Sequence, residues 1–190
     1  MNYFFDFDRT LFDTDAFNVS LADEPGCAPF KDILQAAVEK ERDGTLIGGV
    51  ERQRAWELVT EALACGDLSF SPGYLSRFIY PDVPDILNAL GTRLVVMTYG
   101  NVDRQRAKLE SALPDLTSRV IYTGDLIKAD ALRVHGYIGE PAIFVDDRAV
   151  ELEACAAAHP TLTLFEIRRD GKEGDGRWPV IRSLNELPVA

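Results

Sequence analysis

The chain has 190 residues, 46% hydrophobic and 27% charged, which suits one ordinary folded domain or one carrying a sizeable insertion and excludes a disordered chain. Its 31 acidic and 20 basic residues leave a net charge of -11, with a pI near 4.6. That balance argues against nucleic acid as the partner, because neutralising a phosphate backbone requires a basic surface. Cys27, Cys65 and Cys155 are odd in number and widely spaced, without a CxxC pair, so small buried thiols in a reducing compartment are expected. An acid at residue 6 breaks any signal-peptide pattern, and no apolar run approaches a membrane span. The expectation is a cytoplasmic protein with no membrane partner, a monomer or homodimer.

The first strand is predicted in "NYFFDFD", where Asp6 and Asp8 stand directly behind an apolar run. Carboxylates are poor strand residues and costly if buried without a partner, so their pairing there points to a cation or a reaction. From about Ala16 to Tyr80 there is no convincing strand. "FKDILQAAVEKERDG" and "VERQRAWELVTEALACG" carry apolar residues at helical spacing and stop at Gly44 and Gly66. Pro72 and Gly73 then break the chain, and Trp56 and Phe78 are read as packing residues. This region reads as a small helical insertion.

The second half alternates. Strands are predicted in "TRLVVMT", ending at Thr98, in the weaker "SRVIYTGD", in "AIFVDD", ending at Asp147, and in "LTLFEIRR". Helices are predicted in "NVDRQRAKLESAL", "KADALRVHG" and "RAVELEACAAAH", and the loop "RRDGKEGDGR" is expected to be solvated. Near-continuous apolar strands separated by helices imply right-handed βαβ units around a parallel sheet. The fold class expected is α/β: a doubly wound, mainly parallel, Rossmann-like sheet with a helical cap inserted after the first strand. Core segments are placed at 1–15 and 81–190, with the cap at 16–80.

In such sheets ligands bind beyond the carboxyl ends of the strands. Asp6, Asp8, Thr98, Asp146 and Asp147 all fall at those ends. Carboxylates gathered there repel one another unless a cation lies among them, and a hard oxygen set suits Mg²⁺. His and Cys are absent from these segments, which disfavours Zn²⁺, and His135 and His159 are read as surface or core residues. A carboxylate can act as a nucleophile toward phosphorus, and a second can move the proton. The Thr98 hydroxyl, the turn at Tyr99, Gly100 and Asn101 leading into a helix, and Lys128 at a helix start can bind phosphoryl oxygens.

Four segments taken in order, "FFDFDRTL", "LVVMT", "IKADAL" and "IFVDD", resemble the four motifs of the haloacid dehalogenase superfamily of hydrolases, and the helical stretch lies where that family inserts its cap. The resemblance implies a Mg²⁺-dependent phosphohydrolase acting on a small phosphorylated metabolite through an aspartyl-phosphate intermediate. Asp6 is then the nucleophile and Asp8 the acid/base. The metal is held by the Asp6 side chain, the Asp8 backbone carbonyl and Asp147, with Asp146 nearby. Thr98, Tyr99, Gly100 and Lys128 bind phosphate. A phosphomutase of the same superfamily, or a non-catalytic metal- and phosphate-binding protein, are the alternatives. Asp8 and the acidic pair argue against the dehalogenases, which attack carbon without a metal. Two positions depart from the pattern: Arg9 stands where Gly is common, and Arg148 where a small residue is frequent.

Overall fold

The computed structural model describes residues 1–21, 23–42, 50–137, 139–174 and 176–188. Six strands form one all-parallel sheet: β1 (Asn2–Asp6), β2 (Leu94–Tyr99), β3 (Val120–Gly124), β4 (Ala142–Asp146), β5 (Leu162–Ile167) and β6 (Val180–Ile181). Their order is β3-β2-β1-β4-β5-β6. The chain therefore builds outward from β1 in one direction and then, from β4, in the other. The crevice of a doubly wound sheet opens at that reversal, between the carboxyl ends of β1 and β4.

The alternation of side chains along the strands explains why both faces are covered. On one face Tyr3, Phe5, Leu94, Val96, Ile143 and Val145 join a single buried cluster. On the other, Phe4, Val95, Met97, Ala142 and Phe144 join a second. The second cluster is closed by α6 (Lys128–Val134) and α7 (Ala149–Ala158), through Ala129, Leu132, Leu152 and Cys155. The first is closed by α4 (Val83–Leu90) and α5 (Val102–Ala112) and by residues of the helical region.

That region comprises α1 (Thr14–Leu21), α2 (Lys31–Arg42) and α3 (Val50–Cys65). Among the described residues it contains no strand, as expected. α3 stops at Gly66, whose φ of 79° suits glycine; Gly44 lies outside the described residues. Phe17, Leu21, Leu34, Val59 and Leu75 pack continuously with the sheet cluster. Trp56 is partly buried against the same cluster and Phe78 is buried, the packing roles expected of both.

Three elements were not foreseen. α1 begins at Thr14, where the Asp13 carboxylate accepts from the Ala16 N–H at 2.9 Å. α4 follows Asp82. β6 is only two residues long and pairs with β5 beyond the "RRDGKEGDGR" segment, too short to leave an apolar run in the sequence. The cysteines also correct an expectation: Cys27 and Cys155 are buried, but Cys65 is exposed. No described helix is long and apolar enough to cross a membrane.

Candidate active site

β1 ends at Asp6 and β4 at Asp146, on neighbouring strands whose register aligns Phe5 with Val145. The two carboxylates therefore emerge side by side, and both are buried. Such a pair is unstable without positive charge between them. Lys128, the first residue of α6, supplies it: its Nζ donates to Asp6 Oδ1 and, at 2.5 Å, to Asp146 Oδ2. This lysine is 1% exposed. Burial works to lower its pKa, but Asp146 and Asp6 outweigh it and hold the ammonium above its ordinary value. α6 itself is positioned by Glu151 of α7, whose buried carboxylate accepts from the Lys128 backbone N–H at 3.0 Å.

Ligand atoms of Asp6, Asp146 and Asp147 lie within 4.8 Å of one another, a spacing open to one shared cation. Two further observations fit that reading. Asp6 Oδ2 is buried without a hydrogen-bond partner, and so is the hydroxyl of Thr98, which stands near the end of β2. Burial, followed by the charge of Asp146, pushes the Asp147 carboxyl up to about 7 against the opposing effects of Arg9 and Lys128. Asp6 is raised well above the ordinary range, foremost by burial, in spite of Lys128. Carboxylates that resist ionising in this way favour a bound cation, which would restore their charge. Asp146 is already engaged on both oxygens, since Oδ1 accepts from the Arg148 N–H at 2.9 Å. Asp6 Oδ2 and Asp147 are the side chains best placed for a metal.

Asp8 follows a different course. Its side chain does not join the acidic cluster but turns toward α5. Oδ1 accepts from Lys108 Nζ and from the Thr14 hydroxyl at 2.6 Å, and Oδ2 accepts from Gln105 Nε2 at 2.8 Å. Burial pushes this carboxyl upward, but Lys108 and the three hydrogen bonds prevail and hold it at about 2. Asp8 is therefore an ionised acceptor.

Among the phosphate-binding candidates, Thr98 is not the cap of α5. That role falls to Asn101, which accepts from the Arg104 N–H at 3.0 Å and leaves the Thr98 hydroxyl available. Tyr99 is 41% exposed, and its carbonyl accepts from Gln105 at 2.9 Å. The Gly100 N–H donates to the Gly124 carbonyl at 3.0 Å, and the residue's φ of 108° permits that turn. His159 is buried with Nε2 at 2.8 Å from the Ala129 carbonyl, a structural contact. Arg9 has a φ of 59°, the left-handed conformation that makes glycine the easier residue at this position. Its guanidinium pairs with Asp15 at 2.7 Å. Arg148 lies over the Tyr99 ring at 5.5 Å.

Sequence reasoning missed Gln105, Lys108 and Glu151. A signal for them exists. Gln105 and Lys108 share the inward stripe of α5 with Leu109 and Ala112, and Glu151 shares that of α7 with Leu152 and Cys155. A polar residue on an apolar stripe requires a buried partner.

No protein-family model matches the sequence, and no curated protein matches it. Solved structures do. A haloacid dehalogenase-like protein from Burkholderia xenovorans is 22% identical, covers 87% of this chain and 83% of its own, and superposes with a TM-score of 0.58. The fold is that of the haloacid dehalogenase-like hydrolases. YfnB from Bacillus subtilis, named as a HAD-hydrolase and solved bound to magnesium, is 17% identical over 97% of this chain and 95% of its own, with a TM-score of 0.57. A Lactobacillus plantarum protein named for phosphoglycolate phosphatase is 16% identical over 87% and 84%, with a TM-score of 0.51. The haloacid dehalogenase-like fold, with the reversal between β1 and β4, is the architecture expected from the four motifs.

Proposed function

We propose that the protein is a Mg²⁺-dependent phosphohydrolase that acts on a small phosphorylated metabolite, with Asp6 as the nucleophile. One observation carries the reading: a buried carboxylate with one oxygen fixed by Lys128 and the other unpartnered, beside the unpartnered Thr98 hydroxyl and the raised carboxyl of Asp147. The fold shared with a magnesium-bound HAD-hydrolase and with a protein named for a phosphatase is consistent with it.

In this reading Asp6, the Asp8 backbone carbonyl and Asp147 hold the cation, with Asp146 nearby. When bound, Mg²⁺ screens the repulsion between the Asp6 carboxylate and an anionic phosphoryl group. Asp6 attacks phosphorus as the ester bond to the leaving oxygen breaks, giving an aspartyl phosphate. Lys128 and the Thr98 hydroxyl donate to the phosphoryl oxygens, and the turn at Tyr99 and Gly100 borders them. Water then attacks phosphorus, the bond to Asp6 breaks, and Asp8 takes the proton released by the water. Asp8 is set up for this second step because it is an ionised acceptor. To protonate a leaving oxygen in the first step it must take up a proton and loosen its hold on Lys108. The helices within 16–80 form the cap in this scheme and exclude competing water from the reacting phosphoryl group.

The test is phosphate release from an aryl phosphate and a panel of phosphorylated metabolites, with Mg²⁺ and then with EDTA. Release that needs Mg²⁺ and is abolished in Asp6→Asn is the expected result. Release near the wild-type level in Asp6→Asn removes the nucleophile assignment. No release from the wild type, with Mg²⁺ bound, points to a phosphomutase or a binding protein.

A further inference from the structure

Lys108 is the most conspicuous buried charge that the scheme above leaves without a role. Its side chain is 6% exposed and its Nζ lies 5.4, 5.0 and 5.5 Å from the ring centroids of Phe7, Phe12 and Phe17. Those rings come from the loop after β1 and from α1, so the ammonium is enclosed by aromatic faces on one side and by Asp8 on the other. An ammonium taken out of water in this way is stabilised by its carboxylate partner and by the negative faces of the rings. Three residues earlier on the same helix face, Gln105 Nε2 donates both to Asp8 Oδ2 at 2.8 Å and to the Tyr99 carbonyl at 2.9 Å. One turn of α5 thus grips both oxygens of Asp8 and ties them to the end of β2, where Thr98 stands.

We infer that Lys108 and Gln105 are positioning residues that fix the orientation of the Asp8 carboxylate, the proton acceptor for the water that attacks the aspartyl phosphate. This rests on the phosphohydrolase reading above. Nothing in simple strand termination requires such a grip. A carboxylate at a loop would be content with water, whereas this one has two side chains from a distant helix, 97 and 100 residues away in sequence, fixing both oxygens. Phosphoryl transfer depends mainly on aligning its parts, so the angle of the carboxylate matters more than its strength as a base. In the step concerned, the water oxygen bonds to phosphorus and the phosphorus–Asp6 oxygen bond breaks. The water proton passes to Asp8, releasing phosphate and free Asp6.

The prediction separates this role from a structural one. Breakdown of the phosphoenzyme should be impaired more than its formation. With 4-nitrophenyl phosphate, whose leaving group needs no proton, Lys108→Met should give a pre-steady-state burst of nitrophenol near one equivalent per enzyme. Its steady-state rate should fall at least ten-fold more than its burst rate. Methionine retains the fit among the three rings while removing the charge. Gln105→Met should behave alike but more mildly, and Lys108→Arg should recover part of the lost rate. Burst and steady-state rates that fall together, or no change in either variant, overturn the inference while leaving the phosphohydrolase reading intact. If Lys108→Met does not fold, the same two rates in Gln105→Met and Lys108→Arg decide the matter. A wild-type enzyme that releases no nitrophenol overturns both.

Discussion

At the scale of single residues, the site is governed by what each carboxylate can and cannot find. Asp6 and Asp146 share Lys128, yet Asp6 Oδ2 still lacks a partner. A cation that binds the folded chain alone, at a concentration about 100 times its dissociation constant, stabilises it by about 2.7 kcal/mol. For a protein of this size that raises the melting temperature by roughly 5–10 °C. Mg²⁺ should therefore raise Tm, and Asp147→Asn should remove most of the gain, as followed by thermal unfolding without any substrate. An equal gain in the variant would place the ion elsewhere. Arg9 offers a second test. The left-handed conformation costs a non-glycine residue about 1–2 kcal/mol. Against that stand a surface pair with Asp15, about 0.2–1 kcal/mol, and the extra unfolded-state freedom of glycine, about 0.5–1 kcal/mol. Arg9→Gly should change stability by less than about 1 kcal/mol on these terms. A loss well beyond that in denaturant unfolding would reveal a packing role for the arginine.

At the scale of elements, the least expected contact joins parts of the chain far apart in sequence. Arg169, just past β5, donates to Asp82 at 2.8 Å and to the Thr10 carbonyl at 2.8 Å. The same Asp82 oxygen accepts from the Ser183 hydroxyl and the Leu184 N–H, each at 2.7 Å. The clamp binds the start of α4, the loop after β1 and the segment after β6. Breaking such a buried pair costs about 3 kcal/mol, so Arg169→Met should lose an amount of that order in denaturant unfolding. A loss under about 1 kcal/mol would mean the clamp behaves as a surface pair. The pH dependence has a definite sign. Burial works to raise the Asp82 carboxyl, but the bonds from Arg169, Ser183 and Leu184 prevail and hold it below 3.8. Its contribution is therefore full above that value and is lost as pH falls through the lower folded one. Wild-type stability should drop more steeply below pH 4 than that of Arg169→Met.

The strands and helices read from the sequence are those with a sustained apolar run or helical spacing: β1 to β5, and α2, α3, α5, α6 and α7, lie where the segments predicted them. β6 escaped because two residues make no pattern, and α1 because its eight residues are too few to set a clear helical period. The four chemical segments were legible because each closes a strand or opens a helix. The pairings of the clamp and of the grip on Asp8 were not, since no spacing in the chain announces a partner 87 or more residues away.

At the scale of the whole molecule, a chain with net charge -11 places two of its lysines out of water, against Asp8 and against Asp6 with Asp146. Such pairs are poor sources of stability compared with apolar packing, and their retention beside the crevice suits chemistry better than folding. In the proposed reaction Asp6 is phosphorylated during turnover. This is tested most directly by quenching the enzyme with borohydride during turnover of an aryl phosphate in Mg²⁺ and mapping the peptides by mass. Reduction of an aspartyl phosphate leaves homoserine, expected at position 6 and nowhere else. Full turnover with position 6 unmodified, or with the label at another carboxylate, would contradict it.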